Sequence, residues 1–190
     1  RARKHTHDYI VGLTQLLDPR TSVSVNFTWG DANGFLGDPY RLVQKNIELF
    51  PGVSLPLTFG ETRPPDREKW IGLVGLNRAV PALHGALDAT YRYYHDTFGT
   101  VAHTVDLAWF HRVGEKLILR PGVRFYAQDA ASFYAYNLDA TPITPVAGPP
   151  RVTGPYYSSD YRLSKFESFN YGLKVIWKAT WTESGRSPFS

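Results

Sequence analysis

The chain has 190 residues, a formal net charge of +4, 43% hydrophobic and 15% aromatic residues, enough for one domain with a core or a lipid-facing surface. It contains no cysteine, which excludes disulfides, thiolate metal sites and cysteine nucleophiles. Its basic residues are scattered rather than concentrated in a stripe, so we expect no nucleic-acid partner. No apolar run reaches the ~18 residues of a membrane-spanning helix.

The start of the chain is basic, and no apolar signal segment follows it. The chain also lacks methionine altogether. We therefore expect a processed or truncated product. The missing signal peptide says nothing against export.

Period-two alternation of apolar and polar residues predicts β-strands along most of the chain. In chain order, the predicted strands are 9–17, 21–29, 69–77, 87–94, 101–111, 117–126, 161–164 and 169–181. The clearest is 21–29, where Val, Phe and Trp alternate with Ser, Asn and Thr. Strand 69–77 is apolar on both faces, so its register is open. Pro121 predicts a bulge or a sheet edge.

The connections between these strands alternate in length. The short ones at 18–20, 78–86, 113–115 and 165–168 fall on one side, and the long loops 31–68 and 129–160 fall on the other. Outer-membrane barrels have short periplasmic turns and longer outer loops. The predicted fold is therefore all-β, an antiparallel up-and-down transmembrane β-barrel, with residues 1–190 as one domain.

The predicted strand count has a consequence for the ends of the chain. About eight strands are visible, so the first would descend from outside and the last would return there. Complete bacterial barrels keep both termini in the periplasm. We therefore expect an internal segment of a larger barrel with at least ten strands.

Four stretches carry a resemblance to a known family: HTHDY at 5–9, YRYYHD at 91–96, RPGVRFY at 120–126 and YYSSDYRLS at 156–164. They resemble exported bacterial proteins catalogued as domain of unknown function 3570. The resemblance spans nearly the whole chain. It implies an outer-membrane barrel and assigns no catalytic residue.

Each clear strand has an apolar side that we expect to face lipid and a polar side that we expect to line the barrel lumen. The lipid-facing candidates are Val23, Val25, Phe27, Trp29, Val105, Leu107, Trp109, Leu173, Val175 and Trp177. The charged lumen candidates are Asp8, Asp88, Arg92, Asp106, Arg112, Arg120, Arg124, Lys174 and Lys178. These charges either set the ion preference of an open lumen or pair across strands and plug it. A tight hairpin at 113–115 would place Asp106 diagonal to Arg120 or Arg124.

Aromatic residues near strand ends are typical of the membrane interface. The sequence places Trp29, Tyr93, Trp177 and Trp181 toward the outer ends of their strands. It places Trp109 and Phe169 toward the inner ends.

Several other residues suggest sites, and a structural role is the favoured interpretation of each. His5 and His7 fall on one side of a strand, with Asp8 next to them, and could share a metal ion. Asp88 and Asp106 could form a carboxylate pair for glycoside hydrolysis. Ser158 and Ser159 have no catalytic context. Carbohydrate could stack on the loop tyrosines Tyr134, Tyr136, Tyr156 and Tyr157.

The sequence favours a bacterial outer-membrane barrel that acts as a channel or as a scaffold for a partner protein within or beside the barrel. We predict no enzymatic activity and no cofactor, with the lipid bilayer as the main partner. Two alternatives stay open: a soluble β-barrel that binds a small ligand, and an outer-membrane enzyme that uses lumen carboxylates.

Overall fold

A computed structural model of the protein describes residues 3–139 and 156–178. The strands of this part are β1 (Lys4–Asp18), β2 (Thr21–Gly34), β3 (Leu42–Phe50), β4 (Val53–Gly60), β5 (Asp66–Val80), β6 (Gly85–Asp96), β7 (Val101–Val113), β8 (Leu117–Gln128) and β9 (Phe166–Trp177). Two short 3-10 helices, Pro81–Leu83 and Tyr161–Leu163, complete the regular structure. In the described ranges, no helix has the length and apolar character needed to cross a membrane.

Seven strands form one antiparallel sheet in the order β1-β2-β5-β6-β7-β8-β9, and β3 and β4 form a separate hairpin. The predicted all-β, antiparallel, up-and-down arrangement is confirmed. Within the described residues β1 and β9 are edge strands, and the sheet is open between them.

The connections separate by length, as the sequence predicts. One end of the sheet, here called the turn end, has the short connections 19–20, 81–84 and 114–116. The other, the loop end, has the long connections 35–65 and 129–165 and the tight turn 97–100. The loop end also holds the start of β1.

The last part of the chain departs from the prediction. Residues 161–164 form a 3-10 helix followed by a bend, because the Asp160 side chain accepts a hydrogen bond from the backbone N–H of Arg162 and caps the turn. Residues 166–168 belong to β9 at the loop end, so the predicted turn at 165–168 is wrong. Because the main sheet has seven strands and not the predicted eight, β9 runs from the loop end to the turn end.

The long connection 31–68 is also more structured than predicted. β2 continues to Gly34, β5 begins at Asp66, and the β3–β4 hairpin lies between them. Gly52 follows Pro51 in the hairpin turn and has φ of 83°, a conformation that glycine adopts without strain. The Pro-Gly pair between two apolar stretches is the signal that could have predicted this hairpin.

Strand pairing places two sets of side chains on opposite faces of the sheet. Opposed residues of antiparallel strands share a face, and the register runs Trp29–Trp70–His95 on one side and Gly30–Lys69–Asp96 on the other. The first side, which we call the apolar face, includes all ten predicted lipid-facing residues. The second side, the polar face, includes all the charged lumen candidates except Lys178, which lies beyond the end of β9.

Pro121 does not cause the bulge that the sequence predicts. The pairs Ala108–Gly122 and His111–Leu119 keep the same register on either side of it. β8 continues through Pro121, which lies opposite Leu173 of β9.

The buried apolar clusters lie at the loop end and not on the sheet. One contains Val43, Phe59, Leu138 and Tyr157, from the hairpin and the last long connection. The other contains Phe98, Ala131, Phe133 and Leu163. The described parts of these connections, residues 35–65, 129–139 and 156–165, therefore form a packed unit that we call the loop cap.

Candidate functional site

The polar face is the more enclosed side of the sheet. Five side chains of β6, β7 and β8 are almost fully buried, and all five belong to it: Asp96, Ala102, Thr104, Ala108 and Gln128. The apolar face is open. Val25, Phe27 and Leu107, all on inner strands, are 50%, 47% and 43% exposed. The sheet therefore exposes its hydrophobic side and encloses its polar side.

The three predicted acidic residues of the polar face each contact a basic residue. Asp8 Oδ1 lies 2.9 Å from Lys69 Nζ, across β2. Asp88 Oδ2 lies 3.4 Å from Arg120 Nη2, across β7. Lys69 was missed by sequence reasoning because the register of its strand was open.

The remaining predicted pair is also formed. Asp106 lies directly opposite Arg124 rather than diagonal to it, with 3.7 Å between Oδ1 and Nε. Arg120 pairs with Asp88 and not with Asp106. The hairpin predicted from the sequence therefore pairs Asp106 with Arg124, but the two residues are directly opposite and not diagonal.

Four predicted basic residues form no ion pair with any described residue. Arg92 instead lies over the Tyr94 ring, with its Cζ 5.5 Å from the ring centroid. Arg112 and Lys174 are exposed on the same face. Lys178 lies just beyond the end of β9. The polar face thus has an excess of positive charge.

A groove of about 380 Å³ runs along the polar face between β6 and β9. Its charged lining residues are Asp88, Asp106, Arg120, Arg124 and Lys174. Gly122 and Gly172 lie opposite each other in this region, and their lack of side chains leaves the groove open. Arg120 also lies over the Phe110 ring, 4.9 Å from its centroid, which holds the guanidinium in place.

The loop cap extends over the polar face at the loop end. Gln128 Nε2 donates to the carbonyl oxygens of Arg162 and Ser164, at 2.9 and 2.6 Å. Arg67, on β5, lies over the Phe98 ring with its Cζ 4.7 Å from the centroid. The Gln128 bonds attach the last long connection to the polar face, and Phe98 of the turn 97–100 packs with the second buried cluster of the loop cap.

Buried Asp160 joins separate parts of the loop cap. Its Oδ2 accepts from Arg63 Nη2 at 2.9 Å and from Arg162 Nη2 at 2.8 Å, and Arg41 lies 3.6 Å from Oδ1. Burial alone would raise the pKa of Asp160, but the hydrogen bonds from Arg162 and Arg63 outweigh it and hold that pKa far below its ordinary value. Asp160 is therefore an ionised junction between the two connections at neutral pH.

Aromatic side chains mark both ends of the apolar face. Tyr9 stacks on Trp29 at the loop end, with ring centroids 5.5 Å apart, and Trp70 stacks on His95 at 5.6 Å. Trp109 lies toward the turn end, as predicted.

The positions predicted on the last strand are reversed, because β9 runs the other way. Phe169 lies at the loop end and Trp177 at the turn end. Trp181 lies outside the described residues. Tyr93 lies toward the loop end, as predicted.

The candidate metal ligands His5, His7 and Asp8 do not come together in the described part of the chain. His7 and Asp8 alternate along β1, so Asp8 lies on the face opposite His5 and His7. Across residues 3–139 and 156–178, no three His, Asp or Glu side chains come together as metal ligands. Asp88 and Asp106 are both ion-paired, as described above.

The serine and tyrosine candidates belong to the loop cap. Ser158 is fully buried and donates to Glu61 Oε2 at 2.5 Å, and Ser159 donates to the Leu42 carbonyl at 3.2 Å. Tyr157 is buried and donates to the Gly60 carbonyl at 2.8 Å, whereas Tyr136 and Tyr156 are exposed. Tyr134 packs against the second cluster.

The fold and site define a class of all-β protein: an antiparallel meander with an exposed apolar face, an enclosed charged face and a packed cap at one end. The chain belongs to the family described as "protein of unknown function (DUF3570)", whose model matches residues 1–184. No curated protein and no solved structure matches the chain.

Proposed function

We propose that this protein is a bacterial outer-membrane β-barrel, with the seven-stranded sheet as part of its wall and the polar face lining a channel for small anions. The observation that carries the proposal is the polarity of the two faces. Val25, Phe27 and Leu107 are exposed, whereas Asp96 and Gln128 are buried on the other side. A soluble barrel would enclose its apolar face instead, so this polarity favours the membrane.

The dimensions of the apolar face support the same proposal. Phe169 and Trp177 lie near opposite ends of β9, roughly 26 Å apart at ~3.3 Å per residue. Outer-membrane barrels carry an apolar band of ~25 Å between aromatic girdles, spanned by strands of ~9–11 residues. The strands of the sheet have 12 to 15 residues, which is sufficient.

The charges of the polar face favour anions. Asp8, Asp88 and Asp106 are each neutralised by a basic partner, whereas Arg92, Arg112 and Lys174 have no ion-pair partner in the described part of the chain. Charge that lines a pore sets its ion preference. The packed loop cap over the loop end favours a scaffold or plugged barrel as the second candidate.

A matched pair of substitutions on β2 tests the membrane proposal. Val25→Arg places a charge on the apolar face, and Asn26→Arg places the same charge on the polar face one residue later. In full-length protein folded into phospholipid vesicles, we expect Val25→Arg to lower the free energy of unfolding by ~2–4 kcal/mol. Asn26→Arg should lower it by less than about 1 kcal/mol, since the polar face is not in hydrocarbon. Equal effects, or stability without lipid or detergent, would refute the proposal.

A further inference from the structure

A small cavity lies where the loop cap meets the polar face. It has a volume of about 180 Å³ and is separate from the groove between β6 and β9. Its lining includes three arginines from different parts of the chain: Arg67 of β5, Arg92 of β6 and Arg162 of the loop cap. No Asp or Glu is among the described residues that line it. Arg67 and Arg162 are ion-paired with Asp96 and Asp160, so Arg92 leaves one net positive charge at the cavity, which favours an anionic occupant.

The hydrogen bonds of these arginines leave donors available. Arg67 uses Nε and Nη2 for Asp96 and Tyr94, and Arg162 uses Nε and Nη2 for Asp160. A guanidinium has five N–H donors, so the Nη1 group of each remains free of hydrogen bonds to described residues. Because Asp96 and Asp160 hold these two guanidinium groups in place, little conformational entropy is lost when they bind an anion.

A buried hydroxyl gives an independent indication of a ligand. Thr100 lines the cavity, is only 5% exposed, and its Oγ1 makes no hydrogen bond with any residue of the described ranges. A buried polar group without a partner is costly, and a bound water or ion is one way to satisfy it. The backbone N–H of Thr100 donates to Asp96 Oδ1 at 3.0 Å, which fixes the residue at the cavity wall.

We propose that this cavity binds a small tetrahedral oxyanion of the phosphate type, held by Arg67, Arg92 and Arg162 and by a hydrogen bond from Thr100 Oγ1. Guanidinium groups match such oxyanions through paired N–H donors, whereas a halide offers no matching oxygens. A volume of about 180 Å³ is far larger than the ~10–15 Å³ that one water needs on the same measure, so the cavity has room for a small oxyanion with part of its hydration shell. The inference deepens the proposed function, since the site would lie at the mouth of the anion channel.

The test measures inorganic phosphate binding to detergent-solubilised full-length protein by calorimetry at fixed ionic strength. Arg92→Gln removes the arginine that has no ion pair to lose, and we expect the Kd for phosphate to rise by about tenfold or more. Thr100→Val replaces the unpaired hydroxyl by a methyl group of similar shape, so the fold should be retained while the Kd rises by about tenfold. Lys165→Gln removes the same charge at the loop end outside the cavity, and it should change the Kd by less than about twofold.

Two results would overturn the site. They are an absence of phosphate binding at millimolar concentration by the wild-type protein, and an equal weakening by Arg92→Gln, Thr100→Val and Lys165→Gln. If Arg92→Gln fails to fold, as judged by circular dichroism, Thr100→Val decides the question alone.

Vesicle insertion of the same preparations separates this inference from the proposed function. Phosphate binding by a protein that does not insert would preserve the site and refute the channel. Insertion without phosphate binding would refute the site and leave the membrane proposal standing.

Discussion

Asp8 and Lys69 form an ion pair across a strand that lies between their own. Both are in register with Gly30 of β2, and their charged atoms approach to 2.9 Å over it. A Cβ atom on Gly30 would overlap Asp8 Oδ1 and Lys69 Cε. Gly30 thus allows two strands that are not neighbours to be linked on the polar face.

We predict that Gly30→Ala breaks this ion pair. Both side chains are partly exposed, so the pair contributes about 1 kcal/mol or less, and the loss of stability should not exceed that by much. The measurement is a double-mutant cycle of Gly30→Ala with Asp8→Asn. The second substitution should cost almost nothing in the presence of the first.

Gly72→Ala is the matched control. It lies on the apolar face of β5, and a Cβ atom there would meet nothing within 4 Å. Additive effects of Gly30→Ala and Asp8→Asn would show that Gly30 does not support the pair.

Lys174→Gln should reduce anion preference without loss of stability. Lys174 lines the groove and has no ion-pair partner among the described residues, so no pair is broken. Charge at a narrow site acts over short distances with little screening. The measurement is the reversal potential of single channels of the full-length protein in a salt gradient. Lys116→Gln, in the exposed turn after β7, is the control and should leave selectivity unchanged.

Charge reversal at Arg120 and Arg124 should have a larger effect. Arg120→Glu plus Arg124→Glu places like charges beside Asp88 and Asp106, so we expect lower stability as well as loss of anion preference. Wild-type protein that inserts but conducts nothing would favour the scaffold. Conductance with unaltered selectivity would contradict both functions and place these residues outside the lumen.

The stability of the loop cap should fall in acid through Asp160. Its pKa is depressed in the folded protein, so its stabilising effect is complete above the ordinary carboxyl value of about 3.9. The effect declines as the pH falls below that value and is lost as the pH passes the folded pKa. Asp160→Asn should lower stability at neutral pH by about 3 kcal/mol, because three arginines lose their buried partner.

Hydrogen exchange of residues 156–164, corrected for the intrinsic pH dependence, measures this effect. Asp129→Asn is the control, since Asp129 forms an exposed pair with Lys165 at 3.4 Å. An Asp160→Asn protein with wild-type protection at pH 7 would show that Asp160 does not join the two connections.

Two tyrosines of the loop cap should differ strongly in their contribution to stability. Tyr157 is buried with Val43, Phe59 and Leu138, so Tyr157→Ala should cost about 3–5 kcal/mol. Tyr136 is 84% exposed, and Tyr136→Ala should change stability by no more than about 0.5 kcal/mol. Proteolysis of the folded protein at the cap measures both. Equal resistance to proteolysis would mean that the cap has no core of its own.

The alternation of residue types along the chain was sufficient to predict the sheet. Val25 and Asn26 show why: neighbouring residues of a strand point to opposite faces, so a period of two separates the faces without knowledge of the partner strands. The same local property predicted the two sets of face residues and the lengths of most connections. It failed at 161–164, where the Asp160 side chain caps a 3-10 helix.

Only the tertiary structure decided which residues meet. Asp8 and Lys69 are far apart in sequence, and they pair because the residue between them on β2 is Gly30. One cavity is lined by Arg67, Arg92 and Arg162, because the loop cap folds over the polar face. Such contacts depend on strand order, register and the packing of long connections, which are non-local. The sequence by itself determined the two faces of the sheet, since alternation is a local property of a strand. Which face is enclosed was decided by the tertiary packing, including that of the loop cap over the polar face.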